Sequence, residues 1–340
     1  MDWWAIISNA LRTGIGSTVI IFALAAIGLN LHFGYTGLLN FGQVGFMAAG
    51  AYGVGIMTRT YHHPLWAGVL VGFGAGLVLA LLLGLPTLRL RADYLAIVTI
   101  AAGEILRLVV RAARLQEYTG GSSGLNGVAD EFQDKWNFIW TPEARYGERI
   151  FGGRLNFRFT GGELWEMLVG WSLVLVCLLV MWLLISSPWG RVLRSIREDE
   201  DAARSLGKNV FRFKMQSLVL GGLFGTLAGI FWALQQNSVQ PDNYVTPQTF
   251  FALTAAIIGG LGRIWGPVVG AMIFWMLLSL TENILRQAQR QDYLPESLID
   301  GVQVGQVRFI LTGLGLMLLM VFRPQGIFGD KREIAIDVRK

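Results

Sequence analysis

Residues 13–58, TGIGSTVIIFALAAIGLNLHFGYTGLLNFGQVGFMAAGAYGVGIMT, contain no Asp, Glu, Lys or Arg. A helix needs about 20 mainly apolar residues to cross the hydrocarbon of a bilayer, so this stretch holds room for two crossings. HFGYT at 32–36 divides it, and helices are predicted near 14–31 and 37–57. Outward from there, 60–88, 167–190, 215–241, 243–262 and 264–281 are equally free of those four residue types. Further helices are predicted at 64–88, 94–110, 164–186, 213–235, 248–262, 264–285 and 304–322. The expected fold is all-α: one polytopic integral membrane helix bundle over 1–340, with nine candidate crossings in a range of about eight to ten. The segment 1–11, with Trp3 and Trp4, is short for a crossing and reads as an interfacial anchor.

Composition points the same way. Of 340 residues 53% are apolar and 15% charged, which departs from the usage of soluble domains. Cys177 is the one cysteine, so no disulfide forms within the chain, and three His argue against a multi-His metal centre. The net charge of +5 is better explained by charges that orient the chain in a membrane than by nucleic acid, which is not expected as a partner. Fifteen basic residues fall in loops on the side of 187–214, against ten in the opposite loops. Basic loops stay cytoplasmic, so this loop and the carboxy terminus are expected inside, at a plasma (inner) membrane, and nine crossings would leave the amino terminus outside.

Two connections exceed ordinary loop length. The segment 112–163 mixes six basic and seven acidic residues with Trp136, Trp140, Phe151, Phe157 and Phe159, and predicts a small folded extracytoplasmic cap. The segment 187–212 opens with Ser187–Pro188, a capping hydroxyl before a proline suited to a first helical position. Val192, Ile196, Ala203 and Leu206 then fall near one helical face, Glu200 and Arg204 have the favourable i, i+4 order, and Gly207-Lys208-Asn209 supplies a stop. One short surface helix is predicted. It either ties two spans together or docks into a groove on a cytoplasmic partner.

Polar residues inside predicted spans are conspicuous because lipid makes them costly. Glu104 and Arg107 lie three apart and either pair structurally or line a passage. Asn40 and Gln43, also three apart among glycines, either face a pathway or hydrogen-bond neighbouring helices. Thr119, Gly120, Gly121 and Gly124 follow the fourth helix, as an outer mouth or as an ordinary glycine turn. Glycines spaced by four at 68–76, 221–229 and 262–270 predict close helix packing. The connector 235–249 suits a docking surface, and Arg263 an interfacial anchor. No internal repeat is legible.

Taken in order, FGYTGLLNFGQVGFMAAGAY (33–52), ADYLAIVTIAAGEILRLVV (92–110), TGGSSGLNGV (119–128), GRVLRSIREDEDAARSLGKNVFRFK (190–214), AAIIGGLGRIWGPVVGA (255–271) and VFRPQGIFG (321–329) resemble the permeases of branched-chain amino acid ABC importers, the LivM type. The resemblance covers about 15–128 and 187–329; the cap at 129–163 matches nothing of use. It implies a transport subunit, not an enzyme, that moves branched-chain or related hydrophobic amino acids into the cytoplasm without a cofactor. Its implied partners are a second, related permease chain, two cytoplasmic ATPase chains, an extracytoplasmic binding protein and membrane lipid. The chain has no G-x-x-x-x-G-K-[ST] phosphate loop, consistent with hydrolysis on a partner. The ATPase contacts are expected at Arg191, Arg197, Glu198, Asp199, Glu200, Ala203 and Gly207, and the translocation pathway at Asn40, Gln43, Glu104, Arg107, Thr119, Gly120, Gly121 and Gly124. A closely similar permease for urea or short amides is the alternative; an ion-coupled carrier would need no such loop, and a membrane enzyme would need a catalytic constellation that the chain lacks.

Overall fold

The computed structural model describes residues 3–88, 92–134, 145–146, 149–150, 155–156, 158–291, 303–323 and 325–329. The helices are α1 (Trp3–Ile15), α2 (Ser17–Leu29), α3 (Gln43–Gly55), α4 (Leu65–Thr87), α5 (Ala92–Arg111), the short α6 (Gln116–Thr119) and α7 (Asp130–Asp134), α8 (Gly161–Ser186), α9 (Pro188–Glu198), α10 (Glu200–Ser205), α11 (Val210–Gln236), α12 (Pro247–Gly259), α13 (Gly266–Arg290) and α14 (Gln303–Phe322). Among the described residues, strand is confined to two-residue ladders. The bundle is all-α and polytopic. Among the described residues five segments are long and apolar enough to cross a bilayer unaided: 17–36, 65–87, 161–186, 210–236 and 266–289.

Burial sorts these helices into a centre and a shell. Every residue of α3 is buried, as are Val19–Leu29 of α2 and most of the second half of α11. Small residues permit this. A side-chain carbon at Gly229 would stand 1.9 Å from the Met47 carbonyl oxygen, and one at Gly270 1.8 Å from that of Ala255. The glycine stripes are thus spent on backbone approach, the contact that substitutes in lipid for a hydrophobic drive. On α4, α5, α8 and α14, by contrast, Leu82, Ile97, Leu175 and Ile310 are more than half exposed, an apolar surface suited to lipid.

The element order repeats with opposite sense. A helix, a break in the α-helix, a 13-residue α-helix and two long helices run through α2, 37–42, α3, α4 and α5, and again through α11, 237–246, α12, α13 and α14. α2 continues through the π-helix 30–36, and α3 is prolonged to Thr60 by a π-helical end. α2 and α11 cross antiparallel, with Gly28 against Gly221 and His32 against Leu218. α4 packs on α3 and α11 while α13 packs on α12 and α2, the same pattern with halves exchanged. The starts of the two short helices meet, the Val44 amide donating to Thr249 Oγ1 at 2.9 Å. From there α3 runs toward Leu125 and Val239, and α12 toward Gly326 and Gly34 on the face that carries α9. This inverted arrangement is a recurring transporter plan.

Four expectations change. α1 is not an anchor lying alone at an interface: it runs antiparallel along α13, with Thr13 Oγ1 donating to Ser279 Oγ at 3.0 Å and Ile6 and Ala10 buried. The second predicted helix begins at Gln43 rather than 37, because Gly37 takes a left-handed φ of 74° and no regular structure forms from there to Gly42. α12 has 13 residues, about 20 Å at 1.5 Å per residue and too short to cross alone. The single surface helix of 187–209 is two, broken at Asp199. Of the expected cap, the described parts are α6, α7, a Leu125–Asn126 ladder with Ser238–Val239, and ladders joining 145–146 to 159–160 and 149–150 to 155–156; the remainder, Trp136 and Trp140 included, lies outside the described residues, as do Arg89, Arg91 and the tail 330–340.

Candidate functional site

The α9–α10 elbow is built from its caps. Ser187 accepts from the Trp189 amide at 3.2 Å, and Pro188 at the first helical position lacks a donor that would have been left over there. Asp199 ends α9 in an extended conformation and accepts from the Ala202 amide at 2.9 Å, starting α10. Gly207, left-handed at φ 77°, stops α10, and Asn209 accepts from the Arg212 amide at 3.1 Å to start α11. Leu193, Ile196 and Ala203 are buried, the last two in one cluster with Val210. Leu206 departs from the predicted face and stands 78% exposed.

The seven residues expected at the ATPase contact divide into two groups. Arg191, Glu198, Asp199 and Gly207 are exposed. Glu200 is engaged within the chain, bonded to Lys214 of α11 and to Arg204 at 2.9 Å, and Ala203 is 1% exposed. Arg197 is exposed as a residue, but its guanidinium donates to the Gly34 carbonyl in the last turn of the π-helix 30–36. Beside it the Arg194 guanidinium lies 5.6 Å from the centre of the buried Tyr35 ring. The elbow is therefore clamped to the junction between α2 and α3.

The eight residues expected along the pathway also divide. Asn40 and Gln43 are fully buried and saturated. Asn40 Nδ2 lies 3.1 Å from His32 Nδ1 and from Gln43 Oε1, its Oδ1 accepts from the Gly42 amide at 2.9 Å, and Gln43 Nε2 donates to the Gly221 carbonyl at 2.9 Å. This network ties α2, α3 and α11 together and feeds the broken backbone at 37–42, which a low-dielectric interior requires. The start of α3 is likewise spoken for, by Thr99 Oγ1 at the Phe41 amide (3.1 Å) and Thr249 Oγ1 at the Val44 amide.

Glu104 and Arg107 do pair, at 2.5 and 3.0 Å, and Arg107 with Arg111 reaches Asp242 at 3.1 and 3.3 Å. The two carboxylates and two guanidiniums balance. They fasten α5 to the connector before α12 on the far face from α9, with Glu104 41% exposed at its side chain. Thr119 caps the end of α5, its hydroxyl 2.7 Å from the Val110 carbonyl. Gly120, Gly121 and Gly124 all adopt positive φ, and a side-chain carbon at Gly124 would stand 2.2 Å from the Val239 carbonyl. These four form a structural turn against the connector 237–247, which Asn237 also ties down through the Ala129 amide at 2.6 Å. Sequence reasoning missed Asn30, His32, Thr99, Thr249 and Asp242; their partners lie far along the chain and no local pattern announces them. Among the described residues no cluster of metal-binding side chains occurs.

With this geometry in view, comparison with known proteins is consistent. Residues 12–320 match the family model described as branched-chain amino acid transport system / permease component. The high-affinity branched-chain amino acid transport system permease protein LivM of Escherichia coli is 31% identical over 95% of this chain and 71% of that protein. The probable branched-chain amino acid transport permease protein LivM of Methanocaldococcus jannaschii is 23% identical over 94% of each. The nucleoside ABC transporter permease protein NupC of Lactococcus lactis is 26% identical over 85% of this chain and 86% of that one. An all-α polytopic bundle with five apolar spans among the described residues, an elbow at 187–209 and a match over 12–320 converge: the chain belongs to the branched-chain amino acid transport permease family, the membrane-embedded transport subunits of ABC importers.

Proposed function

We propose that the chain forms one half of a translocation pathway for branched-chain or related hydrophobic amino acids, together with a second, related permease, and is driven by two ATPase chains seated on the α9 face. That face is then cytoplasmic, and the far face, with its cap and the 237–247 connector, receives substrate from a binding protein. The observation that carries the reading is the elbow: a two-helix element, amphipathic, rigidly capped at Ser187, Asp199 and Asn209, clamped to the α2–α3 junction and presenting charge outward. A flexible tether would transmit little differential free energy between two transmembrane arrangements; this one is stiff. Its basic residues support a cytoplasmic side.

The similarity to a nucleoside permease favours nucleosides as the second substrate reading. The test is purification of the tagged chain from native membranes in mild detergent, then ATPase assays in vesicles with the co-purified binding protein and leucine, isoleucine, valine, a nucleoside panel or urea. ATPase chains should co-purify and hydrolysis should rise with the branched-chain amino acids. Isolation without an ATPase would overturn the assembly, and stimulation by nucleosides or urea alone would overturn the substrate.

A further inference from the structure

Arg197 occupies a place where two turns, one from each repeat, meet on the α9 face. Leu38 bonds to the His32 carbonyl at 2.8 Å, so the helical ladder is broken and the Gly34 carbonyl is left without its usual amide; the Arg197 guanidinium supplies the donor. The same side chain lies against two more backbone positions. A side-chain carbon built on Gly37 would stand 3.4 Å from Arg197 Cγ, and one on Gly262, in the turn between α12 and α13, 3.4 Å from Arg197 Nη1. Asn30 completes the knot, accepting from the Gly262 amide and donating to the Arg263 carbonyl, each at 2.8 Å. Gly34 itself admits no side chain, since the Gly262 nitrogen would lie 2.4 Å from it.

We infer that Arg197 is a positioning residue through which α9 holds the α2–α3 and α12–α13 turns together, so that a displacement of α9 is passed to both repeats at once. The role rests on the proposed ATPase coupling but concerns a different step. α3 begins just beyond the first turn and α12 ends at the second, and the two helices contact one another at Val44 and Thr249; moving one turn without the other would open the α9 face on one side only. A single side chain that reaches both turns makes the movement concerted. An arginine that merely met the ATPase could not do this, and Arg191, six residues earlier on α9, serves as the contrast.

The experiment uses the whole importer in vesicles, with spin labels at Ser195 and Ile264 in a Cys177→Ser background and distances read with and without nucleotide. In the unmodified linkage the 195–264 distance is expected to stay constant across nucleotide states, because the turn follows α9. Arg197→Ala is expected to lower substrate taken up per ATP at least about tenfold and to let the 195–264 distance change with nucleotide. Arg197→Lys, which offers a donor at Gly34 with a shorter reach, is expected to fall between. Retained uptake per ATP in Arg197→Ala would overturn the inference, as would a distance that stays fixed. Failure of both variants to assemble would also overturn it, since the residue would then be needed for the fold rather than for transmission. Failure of the function reading looks different: the unsubstituted complex would lack an ATPase altogether.

Discussion

At the residue scale, the polar side chains most visible in the hydrophobic sequence are those the fold consumes. Asn40 and Gln43 stood out as amides in an apolar stretch, and the structure gives each of them partners on two other helices. Their conspicuousness was legible; Gly221 as a partner of Gln43 was not, because contact across 178 residues leaves no trace in spacing, and His32, eight residues from Asn40, meets it only because the helix breaks between them. Gln43→Leu keeps the volume but strands an Asn40 donor and removes a second donor from the Gly221 carbonyl, which keeps its helical partner. A buried orphan costs about 1–3 kcal/mol, so a loss of about that size is expected, read as a lower thermal midpoint in detergent with substrate preference unchanged. Glu104→Gln is the milder case. Its pair is partly exposed, where such bridges contribute about 1 kcal/mol or less, so the midpoint should hardly move and the uptake KM should stay within about twofold. A large rise in KM at normal assembly would instead place Glu104 on the substrate's route.

At the element scale, apolar runs located the five long apolar spans, and caps located the elbow, since Ser187 and Gly207 carry local signals. Where the elbow breaks was hidden: Ile196 and Ala203 keep one apolar face through Asp199, and an aspartate in a charged run does not declare itself a cap. The break decides which charge to test. Glu200 holds α10 to α11 through Lys214, so its reversal would damage the fold and the docking surface together. Glu198 is exposed and engaged less deeply. Glu198→Lys is expected to leave expression and thermal midpoint unchanged while lowering substrate-stimulated ATPase severalfold. Normal stimulation in that variant would remove Glu198 from the contact.

At the scale of the whole molecule, the sequence showed that the chain crosses the membrane many times but concealed that it does so by a doubled plan. The two halves share order and packing rather than residues: Asn40, Gln43, Thr99 and Thr249 support the first break, and Asn237 ties down the second. Half-length α12 looked like a full crossing because the apolar stretch 243–262 counts the extended approach together with the helix. What unites the halves is the α9 face, where the elbow, the α2–α3 turn, the α12–α13 turn and residues 325–329 gather. The central claim is that this face is gripped from the cytoplasm by ATPase chains. A Glu198→Cys variant in the Cys177→Ser background tests it directly, by cross-linking in intact cells followed by identification of the adduct. The account predicts an adduct with a nucleotide-hydrolysing chain and no labelling of that cysteine by a membrane-impermeant maleimide added outside; labelling from outside with no such adduct would contradict it.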